Sequence, residues 1–119
     1  MLSLVGCGDD GSSLDATAAG APSPVPIHIR DFHFEPKHLT VRRGATLAVT
    51  NDGDVAHNLT IEQGSNPRKQ TDALAGTGSF LPGRRVDLRV DLPAGRTYAF
   101  ACTVPGHRDL GLYGTVRVK

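Results

Sequence analysis

Near its C-terminus the chain reads Tyr98-Ala99-Phe100-Ala101-Cys102-Thr103-Val104-Pro105-Gly106-His107-Arg108-Asp109-Leu110-Gly111-Leu112-Tyr113-Gly114. A thiol and an imidazole lie five residues apart across a Pro-Gly turn, between two runs that alternate as strands do. A second imidazole, His57, sits far upstream in another alternating run. Two imidazoles with one thiolate make a donor set for a single copper ion. Thiolate and imidazole also suit zinc, so the donor set points to a metal centre before it names the metal. Other chemistries are poorly provided for. Asp72, Asp87 and Asp109 form no spaced pair for acid–base work, and neither a Ser-His-Asp arrangement nor a phosphate-cradling glycine loop is evident. His28, His33 and His38 are five residues apart, with the first two alternating outward from apolar neighbours. They read as surface strand histidines rather than as a second metal site.

Elements of period 2 must carry these donors. Ile27 and Ile29 face one way with His28 and Arg30 opposite, and the even parity of Phe32 and Phe34 predicts a bulge or bend near Asp31. Leu39 and Val41, then Leu47 and Val49, continue the pattern on either side of Arg43-Gly44. Asn51-Asp52-Gly53-Asp54 is a strong turn signal. Val55, His57, Leu59 and Ile61 share a face, and so do Val86, Leu88, Val90 and Leu92, then Tyr98, Phe100 and Cys102. Leu112, Val116 and Val118 close the chain. Residues 63–83 lack sustained alternation and read as an irregular connection with a helical turn near Asp72–Ala75. The expected fold is all-β, a two-sheet Greek-key sandwich of about seven to eight strands. By parity, His57 and Cys102 both point inward at a strand end, as a weakly solvated metal site requires.

At these residues the chain resembles the cupredoxins, the blue-copper family that includes azurin, plastocyanin, auracyanin and rusticyanin. The resemblance covers nearly all of residues 27–119. It is carried by Phe32-His33-Phe34-Glu35-Pro36, Leu39-Thr40-Val41, Asn51 with His57-Asn58, the Cys102–His107 loop and the closing Gly114-Thr115-Val116-Arg117-Val118. It implies a cupredoxin-like sandwich and one copper held by His57, Cys102 and His107. It also implies that the Asn58 amide ties the two ligand segments together, with Thr103 joining that tie. Cys-x4-His followed by His-x4-Met is the spacing of auracyanin- and rusticyanin-like members. Here the last position is Leu112, and the sole methionine is Met1. No thioether is therefore available as an axial ligand. A weak axial donor favours Cu(II), so a non-coordinating Leu112 implies a raised reduction potential.

The N-terminal segment differs in kind. Leu4-Val5-Gly6-Cys7 resembles a bacterial lipobox, although only six residues precede Cys7, fewer than a charged and an apolar region need. Residues 1–7 read as a signal remnant and residues 8–26 as a flexible Pro/Gly/Ser/Ala linker, because they offer too little apolar area to offset ordering. Residues 27–119 form the expected domain. Cys7 and Cys102 each have a separate explanation, so no disulfide is expected between them. Nowhere do about 18 apolar residues run together to span a membrane.

Residues 27–119 carry thirteen basic against nine acidic groups, too scattered to argue for nucleic acid. At 119 residues the chain has room for one domain, whereas copper enzymes of this superfamily need further centres and usually further domains. The chain therefore reads as a non-enzymatic, monomeric one-electron carrier, extracytoplasmic and anchored through Cys7. Its partners would be redox proteins: a respiratory or photosynthetic complex, a cytochrome or a copper oxidase. The alternatives are an extracytoplasmic copper-delivery protein and a metal-free interaction module of the same fold.

Overall fold

The computed structural model describes residues 23–119. The lipobox-like tetrapeptide, Cys7 and residues 8–22 of the expected linker lie outside the described residues. Among the described residues, nine strands and one short helix follow in chain order: β1 (Val25–Arg30), β2 (His33–Glu35), β3 (His38–Val41), β4 (Thr46–Asn51), β5 (Thr60–Glu62), β6 (Ala73–Gly76), β7 (Arg85–Arg89), β8 (Arg96–Ala101), α1 (His107–Leu110) and β9 (Tyr113–Val118). They form two mixed sheets, β3-β9-β8-β5-β6 and β2-β1-β4-β7. Parallel pairing joins β9 to β3 and β1 to β4, and the remaining pairs are antiparallel.

The core lies between the sheets and follows the alternation of the sequence. In β1 the buried residues are Val25, Ile27 and Ile29, with Pro26 and Arg30 exposed. Leu39, Val41, Leu47, Val49, Leu59, Ile61, Tyr98, Phe100, Val116 and Val118 supply the rest of the apolar filling. Phe34 of β2 meets Phe100 of β8 edge to face, with ring centroids 4.9 Å apart, and so pins one sheet to the other. Ala99 and Ala101 are also fully buried, so β8 is covered on both faces.

Two local expectations change, and a third, the bend near Asp31, takes a definite form. The helical turn near Asp72–Ala75 is instead strand β6, which pairs antiparallel with β5 through Thr60↔Gly76, Ile61↔Ala75 and Glu62↔Ala73. It is an edge strand whose Ala73, Leu74 and Gly76 are exposed, so backbone pairing holds it without any alternation to betray it. Val55 does not share the inward face with His57 and is 42% exposed. Pairing begins only at His57, which forms an isolated bridge with Phe80, so residues 52–56 remain a loop. The bend near Asp31 is a two-residue turn, Asp31-Phe32, joining β1 to β2. The short helix α1 had no periodic signal, because one turn is too short to show one.

Candidate metal centre

Cys102 follows directly on β8 and is fully buried. From there the chain winds through Thr103-Val104-Pro105-Gly106 into α1, with His107 N–H donating to the Val104 carbonyl at 3.0 Å. The helix ends at Gly111, whose φ of 126° favours glycine and whose Cα faces the Phe32 carbonyl closely enough that an added Cβ would lie 2.8 Å from it. Leu112 then returns the chain to the ligand loop. Its N–H donates to the His107 carbonyl and its carbonyl accepts from the Cys102 N–H, each at 3.1 Å. Cys102, His107 and Leu112 are thus locked into one backbone unit.

His57 arrives from the opposite side. The buried Asn51 amide donates to the carbonyls of Val55 and Phe80, at 3.0 and 2.9 Å, and accepts from Gly53 N–H. That fixes the loop from β4 to His57. Asn58 then joins the two ligand segments as expected. Its side chain donates to Thr103 Oγ1 and accepts from Thr103 N–H, both at 3.1 Å, and its own N–H points at Cys102 Sγ at 3.5 Å. Hydrogen bonds to a ligating sulfur orient it and tune its metal.

The three expected ligands meet. His57 Nδ1 lies 3.2 Å from His107 Nδ1 and 4.0 Å from Cys102 Sγ, and His107 Nδ1 lies 3.5 Å from that sulfur. Bonds of roughly 2.0–2.3 Å from imidazole and thiolate to one ion demand donors about 3–4 Å apart. The triangle meets that demand, with two of its members fully buried and His107 partly so. Among the described residues no other group of three or more His, Cys, Asp and Glu side chains has this arrangement. His28 and His33 instead approach Asp52 and Glu35, and His38 approaches Thr115 Oγ1, all on the exposed faces of their strands.

Three further groups flank the centre. Asp31 Oδ1 lies 2.5 Å from His57 Nε2, on the side of the ring away from the other ligands. Phe32 stands edge-on to both imidazoles, 5.8 Å from His57 and 5.0 Å from His107 between centroids. Beneath the loop, Arg108 Nη2 donates to Glu62 Oε2 at 2.6 Å, with the Glu62 side chain 1% exposed. In the sequence, Asp31 looks like an ordinary turn acid, and the parity of β5 sends Glu62 outward. Neither carries a signal that alternation or spacing would detect.

The Glu62–Arg108 pair holds the residue next to His107. Arg108→Ala leaves a buried carboxylate with only the Thr71 N–H at 3.3 Å. We expect a loss of about 3 kcal/mol or more in urea denaturation. Glu62→Leu with Arg108→Met should recover most of it, since no unpaired charge then stays buried.

Burial holds the His107 imidazole below its ordinary value of 6.5, with the neighbouring His57 adding repulsion and Asp31 partly opposing both. The hydrogen bond from His57, then the Asp54 N–H, holds the Asp31 carboxyl below its own ordinary value. A lowered value in the folded state means that the unfolded chain takes up the His107 proton first as pH falls. The metal-free protein should therefore be most stable above 6.5 and lose stability as pH drops below it. Urea midpoints for the metal-free protein at about pH 7.5 and about pH 5.5 test this, with the lower midpoint expected at the lower pH.

The family model for copper-binding proteins of the plastocyanin/azurin family matches residues 23–119. This chain belongs to that family. Among curated relatives, plastocyanin of Nostoc punctiforme is 32% identical over 92 residues, covering 72% of this chain and 64% of that protein's length. The copper-resistant cuproprotein CopI of Rubrivivax gelatinosus is 28% identical over 116 residues, covering 86% of this chain and 70% of that one. Among solved structures, the dithionite-reduced auracyanin of Roseiflexus castenholzii superposes with a TM-score of 0.65 at 24% identity, covering 79% of this chain and 94% of that one. That likeness establishes the shared cupredoxin fold. Within this copper-binding family, His57, Cys102 and His107 are positioned to bind one metal ion.

Proposed function

We propose that the protein is a one-electron carrier with a single type 1 copper held by His57, Cys102 and His107. The observation that carries this reading is the convergence of two imidazole nitrogens and one sulfur within 4.8 Å in a largely buried pocket. A thiolate with two imidazoles gives bound copper access to both oxidation states. The donors are already held by the Asn58–Thr103 bridge and by the Leu112 backbone bonds. Such preorganisation keeps rearrangement small on electron transfer, which favours carriage of an electron over bond chemistry. We therefore read the chain as a carrier and not an enzyme.

Leu112 takes the axial position in this reading. Its side chain is fully buried and its backbone bonds to both loop ligands. An alkyl group there donates nothing to Cu(II) and sheds water, so the potential should lie above that of a Met-ligated relative. His107 would be the electron port. Val104 and Pro105 lie within the ligand loop, Leu110 stands 61% exposed at the end of α1, and Arg108 and Asp109 add charge. Redox proteins of a membrane respiratory or photosynthetic chain fit such a face. The domain would work outside the cytoplasm, with the linker read at residues 8–26 as tether up to the start of β1, which already takes in Val25 and Pro26, and Cys7 as lipid anchor.

A second reading, copper handling, is favoured by the likeness to a copper-resistant cuproprotein. A handler exchanges its copper with a chelator, whereas a carrier retains it. The deciding experiment loads the protein with Cu(II) and records its visible spectrum, its electron paramagnetic resonance and its copper content after dialysis against a chelator. An intense visible band with a narrow copper hyperfine splitting and full retention supports the carrier. Rapid loss of copper supports the handler, and colourless protein without copper overturns both.

A further inference from the structure

We propose that Asp31 is a positioning residue of the metal centre, an anionic partner that fixes His57 as a ligand and holds the reduction potential below the level that Leu112 alone would set. This deepens the proposed copper reading and rests on it.

The argument begins with the two ring nitrogens of His57. Nε2 lies 2.5 Å from Asp31 Oδ1, and Nδ1 faces His107 Nδ1 and Cys102 Sγ. A carboxylate only accepts hydrogen bonds, so Nε2 must carry the ring proton, which leaves the Nδ1 lone pair free for the metal. The ring is fully buried, so water does not reach its Nε2, while the Asp31 side chain keeps 23% of its own surface exposed. An anionic acceptor behind a ligating imidazole also makes it a stronger donor. Stronger donation favours Cu(II), opposite in sign to the effect of an alkyl axial residue.

Two details show that the surroundings are shaped to the carboxylate. Asp31 Oδ2 accepts from the Asp54 N–H at 2.8 Å, so both oxygens face donors. Asparagine at this position offers a single acceptor and would leave one of the two donors opposed by an amide N–H. Gly53 closes the other side. A Cβ there would overlap Asp31 Oδ1 and lie 2.7 Å from His57 Nε2. Only a glycine lets the Asn51–Asp54 turn approach the pair, and a methyl group would have to push the carboxylate off the ring. The turn residue Phe32, packed against both imidazoles, continues the same cover.

Two substitutions separate this role from mere packing. Asp31→Asn retains shape and removes charge, and Gly53→Ala retains the charge and displaces it. Both should weaken Cu(II) binding by roughly 10- to 100-fold in competition titrations. With Cu(I) binding less affected, each tenfold loss of preference for Cu(II) raises the potential by about 59 mV. In the metal-free protein, 15N chemical shifts should place the His57 proton on Nε2 in the wild type and show mixed tautomers in both variants. Both variants should keep a cooperative urea transition. Unchanged potential and Cu(II) affinity in both, or an Nδ1-protonated His57 in the metal-free wild type, would overturn the proposal. A wild type that takes up no copper defeats the copper reading instead, and the tautomer measurement still decides the role of Asp31.

Discussion

Cys102→Ser will abolish the intense visible absorption of the copper-loaded protein and leave, at most, a weakly coloured site. The sulfur is the one soft donor in the triangle, 3.5 Å from His107 Nδ1 and 4.0 Å from His57 Nδ1. The absorption arises from electron donation by thiolate to Cu(II), and a hydroxyl neither ionises readily nor donates comparably. Soft sulfur also secures Cu(I), so reduced copper should dissociate from the variant while the wild type keeps it. The fold should survive. Serine is nearly isosteric and its Oγ can accept the Asn58 N–H that now points at the sulfur. Absorption spectra and copper analysis after reduction and dialysis test both halves, with a urea transition as the control. Persistence of the band would remove Cys102 from the ligand set.

The second large effect concerns the axial position. Leu112→Met should lower the reduction potential by about 60–120 mV, one to two tenfold shifts of preference toward Cu(II). Leucine and methionine are close in volume, and such exchanges usually cost under about 1.5 kcal/mol in a core. The backbone bonds of residue 112 to Cys102 and His107 do not depend on its side chain. The thioether should therefore reach the site without disturbing the loop. Redox titration of wild type and variant gives the shift directly. An unchanged potential would mean that residue 112 does not face the metal. Combined with Asp31→Asn, which acts on a different ligand with opposite sign, the two shifts should largely cancel.

These effects came from parts of the chain that were unequally legible. Alternation in Ile27/Ile29, Leu47/Val49 and Tyr98/Phe100 named the core-facing sides correctly, because successive side chains of a strand point to opposite faces and the large apolar ones recur every second residue. The same rule placed His57 and Cys102 inside. It failed at β6, an exposed edge held by backbone bonds, and at Val55, where strand pairing has not yet begun. It failed also for Glu62, which lies buried where Arg108 of α1, 46 positions away, pairs with it.

By itself the sequence determined the sandwich class, the inward parity of the donors, the Cys102–His107 loop and the absence of a thioether at residue 112. Each is local: a period, a spacing or a residue type, legible within a few neighbours. Only the tertiary structure decided how closely the three donor atoms approach, and that Asp31 stands behind His57 with Gly53 leaving room for it. His57 meets Asp31, Cys102 and His107 across 26, 45 and 50 positions, over turns whose path no periodicity encodes. The physical reason is that a metal site is a distance condition among side chains. Alternation sets which way a side chain points, and only the packing of two sheets sets what it meets.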